Sequence, residues 1–173
     1  ELDGKIIEKI IKPTLKGLKD QNIKYKGFLY AGLMIVDNEP YLIEYNVRMG
    51  DPECQTILPM LCTDLLEIIE STIDEKLENI EIQWLGKKSL CVVLCSNGYP
   101  DHYEKNIEIK NFNKINLDKN NYLFHAGTEK KNEKILAIGG RVLNFTSLSE
   151  DYGEARKNIH ENLKKSTRIC ENL

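Results

Sequence analysis

Three things are missing from this sequence: an excess of one charge, a long apolar run and an even set of cysteines. Lysine and arginine number 24 against 27 aspartates and glutamates, for a net charge of -3. No basic field is there to hold a nucleic acid or an anionic membrane, so neither partner is expected. No apolar stretch approaches the ~20 residues that a membrane helix requires. The opening Glu1-Leu2-Asp3 lacks the basic and then apolar start of a secretory signal. The five cysteines are odd in number. Cys91 and Cys95 stand four apart, the spacing of neither a redox CxxC nor a zinc knuckle. Together with Cys54, Cys62 and Cys170 they read as small buried hydrophobes in a reducing, cytoplasmic setting.

What is present suits one domain or two small ones. The 173 residues are 41% hydrophobic and 29% charged, ordinary for a globular chain. The pattern is α+β, with no internal repeat. Lys5 to Lys19 reads as a helix that Pro13 must kink or restart. Tyr25–Val36 and Tyr41–Arg48 read as a β-hairpin across the turn residues Asp37-Asn38-Glu39-Pro40. Alternation along the second strand puts Leu42, Glu44, Asn46 and Arg48 on one face. Tyr41, Ile43, Tyr45 and Val47 then form the opposite, core-facing side. A merely solvated outer face would produce the same alternation.

Gly50-Asp51-Pro52-Glu53 has the chemistry of a helix start, with Asp51 as cap and Glu53 in the first turn. A helix N-terminus there would favour an anion. Asp64 is expected to cap a second helix that buries Leu65, Leu66, Ile68, Ile69, Ile73 and Leu77. Beyond about residue 82 the chain reads as a second unit of short strands. These are Ser89–Ser96, Ile107–Ile109, Tyr122–Ala126, Ile135–Ile138 and Arg141–Phe145, followed by a closing helix from about Asp151.

Two stretches carry a family resemblance. Leu29-Tyr30-Ala31-Gly32-Leu33-Met34 and Ile43-Glu44-Tyr45-Asn46-Val47-Arg48-Met49-Gly50-Asp51-Pro52-Glu53 resemble the ATP-grasp domain of the glycinamide ribonucleotide synthetases, the phosphoribosylamine–glycine ligases. The E-x-N-x-R signature is Glu44, Asn46 and Arg48, and the continuation Gly50-Asp51-Pro52-Glu53-Cys54-Gln55-Thr56 narrows it. Ser96-Asn97-Gly98-Tyr99-Pro100, His125-Ala126-Gly127-Thr128 and Gly139-Gly140-Arg141-Val142-Leu143 resemble the C-terminal domain of the same enzymes. The resemblance implies residues 1–82 as the C-terminal portion of the ATP-grasp domain and 83–173 as a small, mixed, β-rich C-terminal domain. Family members are more than twice as long, so the amino-terminal half, with the first part of the ATP lobe, is expected from elsewhere.

The resemblance also implies a reaction. Glycine is joined to 5-phosphoribosylamine at the expense of ATP, through an acyl phosphate of glycine, in purine biosynthesis. Mg2+ (or Mn2+) is the implied cofactor, with Glu44 and Asn46 as its ligands. Arg48 is the implied catalytic residue, stabilising charge on the transferred phosphoryl group. Asp51 and Glu53 are either structural, at the helix start, or contacts for a substrate amine. Arg141 is either a ligand of the ribose phosphate or a surface arginine beside a Gly-Gly bend. Alone, the chain is expected to be inactive. The alternatives are another ATP-grasp carboxylate–amine ligase or a non-catalytic module that docks onto a partner.

Overall fold

The computed structural model describes residues 1–115 and 117–165. Cys170, expected to be buried, lies outside the described residues. The chain divides into two compact units: Glu1–Gly50 with Thr63–Ile82, and Asp51–Cys62 with the described residues from Gln83 onward. Segment 51–62, which the sequence reading places with the first domain, therefore packs with the second unit.

The first unit opens on a continuous helical run: α1 (Leu2–Ile6), a π-helical stretch (Ile7–Ile11) and α2 (Lys12–Asp20). A proline inside an α-helix has no N–H and clashes with the carbonyl four residues back. The widened π turn just before Pro13 accommodates it, so the helix neither breaks nor restarts. β1 (Tyr30–Val36) and β2 (Glu39–Asn46) then pair antiparallel around a two-residue turn. Asp37 and Asn38, with φ of 48° and 62°, form that turn, the left-handed geometry that matches the twist of a hairpin.

The strand alternation fails at one point. Gly32 pairs with Glu44 and Leu33 with Leu42, which leaves Ile43 as an extra residue. The bulge breaks the expected period of two. Of the expected core face only Tyr45 is half-buried; its hydroxyl lies 2.6 Å from Thr14 Oγ1. Tyr41, Ile43 and Val47 are exposed, Val47 at 73%. α4 (Leu65–Ile73) begins as expected, with Leu66 N–H donating to Asp64 Oδ1 at 2.7 Å. Its apolar face is not buried as predicted. Ile68 is covered, whereas Leu66, Ile69 and Ile73 are exposed.

The second unit is built on β8 (Arg141–Ser149), the middle strand of an antiparallel sheet with β3 (Lys88–Cys95) and β5 (Asn121–His125). β8 is buried from Val142 to Ser149, four residues longer than the sequence suggests. It is covered on both faces. α5 (Tyr152–Lys165) sets Ala155 and Ile159 against one face. On the other lies the short α3 (Glu53–Ile57), where Thr146 Oγ1 donates to Gln55 O at 3.0 Å and Ser89 Oγ donates to Thr56 O at 2.7 Å.

A second small sheet has the order β4 (Ile107–Glu108), β7 (Lys134–Ala137), β6 (Thr128–Lys131). β6 was not expected. Its sequence, Thr-Glu-Lys-Lys, has no apolar residue, and it forms because Asn132 and Glu133 turn left-handed to bring it against β7. Leu94, Ile109, Ala137, Val142, Leu143, Phe145 and Ile159 make the core.

Candidate active site

The candidate residues fall into two groups, one in each unit. In the first unit, Glu44 and Asn46 lie beyond the bulge on the same face of β2. Asn46 Nδ2 donates to Glu44 Oε1 at 2.9 Å. Gly32, directly across the ladder, leaves room for the carboxylate: a Cβ there would sit 3.3 Å from Glu44 Cγ. Glu44 Oε2 and Asn46 Oδ1 are hard oxygen donors on neighbouring side chains, the chemistry a magnesium ion selects. Among the described residues no three His, Cys, Asp or Glu side chains converge on a metal site. A pair of oxygens fits an ion that completes its shell with substrate phosphates and water, so the group is compatible with Mg2+ but does not enclose it.

Arg48 is not the next residue along that face. β2 ends at Asn46, the chain bends, and Arg48 Nη1 donates to Met49 O at 2.8 Å. The guanidinium is exposed.

In the second unit Asp51 does not cap α3. The residue at the cap position is Pro52, which makes no side-chain capping hydrogen bond. Asp51 is held instead by two side chains. Gln55 Nε2 donates to its Oδ1 at 2.9 Å, and Arg141 Nη1 donates to its Oδ2 at 3.2 Å and to its backbone carbonyl at 3.0 Å. α3 is five residues long, too short for an appreciable dipole, so the anion expected at its start gains no support. Glu53 is half-buried in the first turn.

Arg141 has a neighbour in Tyr99 that the sequence reading missed. Tyr99 is the main influence that holds its guanidinium above the ordinary arginine range; Asp51 contributes less. Gly140 seats the Tyr99 ring, since a Cβ at 140 would lie 2.1 Å from Tyr99 Cδ2. Gly127 and Gly139 touch backbone to backbone: a Cβ on Gly127 would lie 2.6 Å from both Gly139 Cα and Arg141 O. The glycines here make room for protein rather than for a ligand. Tyr99 stands in the Ser96-Asn97-Gly98-Tyr99-Pro100 stretch that carries the family resemblance, but sequence spacing gives it no partner.

Comparison with known proteins now decides the family. The model of the phosphoribosylglycinamide synthetase ATP-grasp (A) domain matches residues 1–54, and that of the synthetase C domain matches residues 89–170. The chain belongs to the phosphoribosylglycinamide synthetase family. It is 45% identical over 162 residues to the phosphoribosylamine–glycine ligase of Caldanaerobacter subterraneus subsp. tengcongensis, covering 94% of this chain and 38% of that protein. The Fusobacterium nucleatum ligase is 40% identical over 165 residues, with 95% and 39% covered. The crystal structure of the Thermotoga maritima ligase superposes with a TM-score of 0.72 at 34% identity, over 93% of this chain and 39% of that one. The chain thus spans about two-fifths of the length of the curated relatives it matches. The fold is the expected α+β arrangement, part of an ATP-grasp domain followed by the family's C domain.

Proposed function

We propose that this chain supplies the C-terminal half-site of an ATP-dependent phosphoribosylamine–glycine ligase of purine biosynthesis. The observation that carries this reading is the order of the two domain matches, with the Glu44–Asn46 pair formed in the first. Glycine would be phosphorylated on its carboxylate by ATP, and the amine of 5-phosphoribosylamine would displace the phosphate. An amine attacking an acyl phosphate needs alignment more than a strong base. Bound Mg2+ or Mn2+ would neutralise charge on the triphosphate.

Each residue has a role in this reading. Glu44 and Asn46 would hold the metal. Arg48, swung from Met49, would stabilise the transferred phosphoryl group as a planar donor. Asp51 and Glu53 would meet the substrate amines, and the guanidinium N–H groups of Arg141 not used by Asp51 would remain for the ribose phosphate. The amino-terminal part found in the relatives would bring the rest of the ATP site. A cytoplasmic location suits free thiols, which Cys54, Cys62, Cys91 and Cys95 all are.

The test is ADP release dependent on both glycine and phosphoribosylamine. This chain would be assayed alone and mixed with the amino-terminal half of a related ligase. Turnover in the mixture only, lost in Glu44→Gln, is the expected result. A mixture whose halves associate without turnover would support a docking module instead.

A further inference from the structure

We propose that Asn97 is a site of spontaneous modification, where the Gly98 nitrogen displaces the side-chain amide and leaves an isoaspartate or aspartate that loosens the loop clasped on Gly139 and Gly140. The inference lies within the second unit and does not depend on the ligase reading. Asn97 is the only asparagine in the sequence that a glycine follows. A side chain on the following residue would crowd the attack on the amide carbon, and glycine has none. The two residues form the centre of a turn, in which Tyr99 N–H donates to Ser96 O at 3.1 Å. Gly98 stands there at φ 93°, and a Cβ on it would lie 2.2 Å from His102 O. The turn therefore demands its glycine, and the reactive pair stays with it.

The pair is also open to reaction. Asn97 is exposed, and among the described residues no hydrogen bond holds its amide or the Gly98 N–H. The Gly98 nitrogen gives its proton to solvent base and bonds to Asn97 Cγ. The Cγ–Nδ2 bond breaks, and Nδ2 takes up a proton and leaves as ammonia. Water then opens the succinimide ring at either carbonyl. Opening at one restores the main chain as aspartate; opening at the other routes the main chain through Cβ as isoaspartate.

The loop is fastened on both sides of this pair. Ser96 N–H donates to Gly140 O and Ser96 Oγ to Gly139 O, both at 2.7 Å. Beyond the pair, the Tyr99 ring sits on Gly140. Isoaspartate lengthens the main chain between these fastenings by a methylene and adds a negative charge. The Ser96–Tyr99 turn cannot close over that longer path.

The experiment ages the chain at alkaline pH and follows tryptic peptide 89–105, in which Asn97 is the only asparagine. The peptide should gain the mass of an acid over an amide and become a substrate for isoaspartyl methyltransferase. Asn106 and Asn132 are exposed too, but Ile107 and Glu133 follow them. Asn97 should lose its amide at least about tenfold faster than either, a barrier difference of about 1.4 kcal/mol. Asn97→Gln, which would need a six-membered ring, should stay unmodified. In the aged chain, amide exchange at Ser96 and Tyr99 should speed by about tenfold, with Phe145 and Thr146 in β8 unchanged.

An Asn97 amide that survives in the native chain, whether or not unfolding in urea exposes it, overturns the site. Equally fast loss at Asn106 or Asn132 overturns the part given to Gly98. Loss at Asn97 with exchange at Ser96 and Tyr99 unchanged overturns the loosening.

Discussion

Arg141 and Asp51, 90 positions apart, share one contact in which a single Nη1 serves both the carbonyl and the carboxylate of the aspartate. The pair ties the first residues of segment 51–62 to the start of β8. Because both side chains are about half exposed, Asp51→Asn should cost less than about 1 kcal/mol of stability. In the reconstituted mixture the same variant should lose most of its turnover. Chemical unfolding beside turnover checks the split, and a large loss of stability would show the pair to be structural.

Glu44 leads to a metal prediction. If its carboxylate and the Asn46 carbonyl share an ion, Glu44→Gln leaves one neutral donor where there was a charge. The Mg2+ concentration that half-activates the mixture should rise about 10- to 100-fold. Asn46→Asp, with Glu44 intact, should keep metal affinity but lose turnover, since the bond from Asn46 Nδ2 to Glu44 is removed. A Mg2+ titration of both variants measures this.

Glu39 provides a pH prediction. It is hydrogen-bonded by Lys5 and Lys9 from the helical run, and these bonds lower its pKa from 4.5 to about 2. A carboxyl group depressed in the fold stabilises above its unfolded pKa and loses that contribution as pH falls through the folded one. The tie between helix and hairpin should therefore weaken between about pH 4.5 and about 2. Carbon-detected titration of Glu39 should show the low midpoint, and added salt should raise it because the pair is at the surface.

Two substitutions in the second unit should move stability in opposite directions. Gly127→Ala forces a Cβ to within 2.6 Å of backbone atoms that cannot swing away. It should destabilise by about 1–3 kcal/mol. Asn144 lies fully buried in β8, and neither of its amide atoms has a partner among the described residues. An isosteric Asn144→Leu removes that penalty and should stabilise by about 1–2 kcal/mol. Denaturant midpoints at constant slope would test both.

The thiols should label in a set order. Cys62 is exposed, contrary to the expectation of burial, whereas Cys54 and Cys91 are partly covered. Burial pushes both of those thiols up, the one at Cys91 in spite of hydrogen bonds with Thr146 and Thr56. Alkylation near pH 8 should reach Cys62 before either of them, and Cys62→Ser should remove that fast phase.

Most local elements, and the family, could be read from neighbouring residues alone. Asp64 announced its helix because a cap needs only its own backbone two residues on, and Asp37-Asn38 announced a turn because few residues accept a left-handed backbone. Glu44 and Asn46 were legible as a pair because two residues on a strand share a face. Tertiary structure decided what depends on a partner distant in sequence. The bulge at Ile43 exists only against β1, and it undid the expected core face of β2. β6 has no pattern of its own and is made by β7. Asp51 read locally as a cap, yet a carboxylate takes whichever donors reach it, and Arg141 is brought to it by β8. Short-range rules see the backbone groups a residue can reach alone; which side chain arrives from 90 positions away is settled by the packing of the sheet.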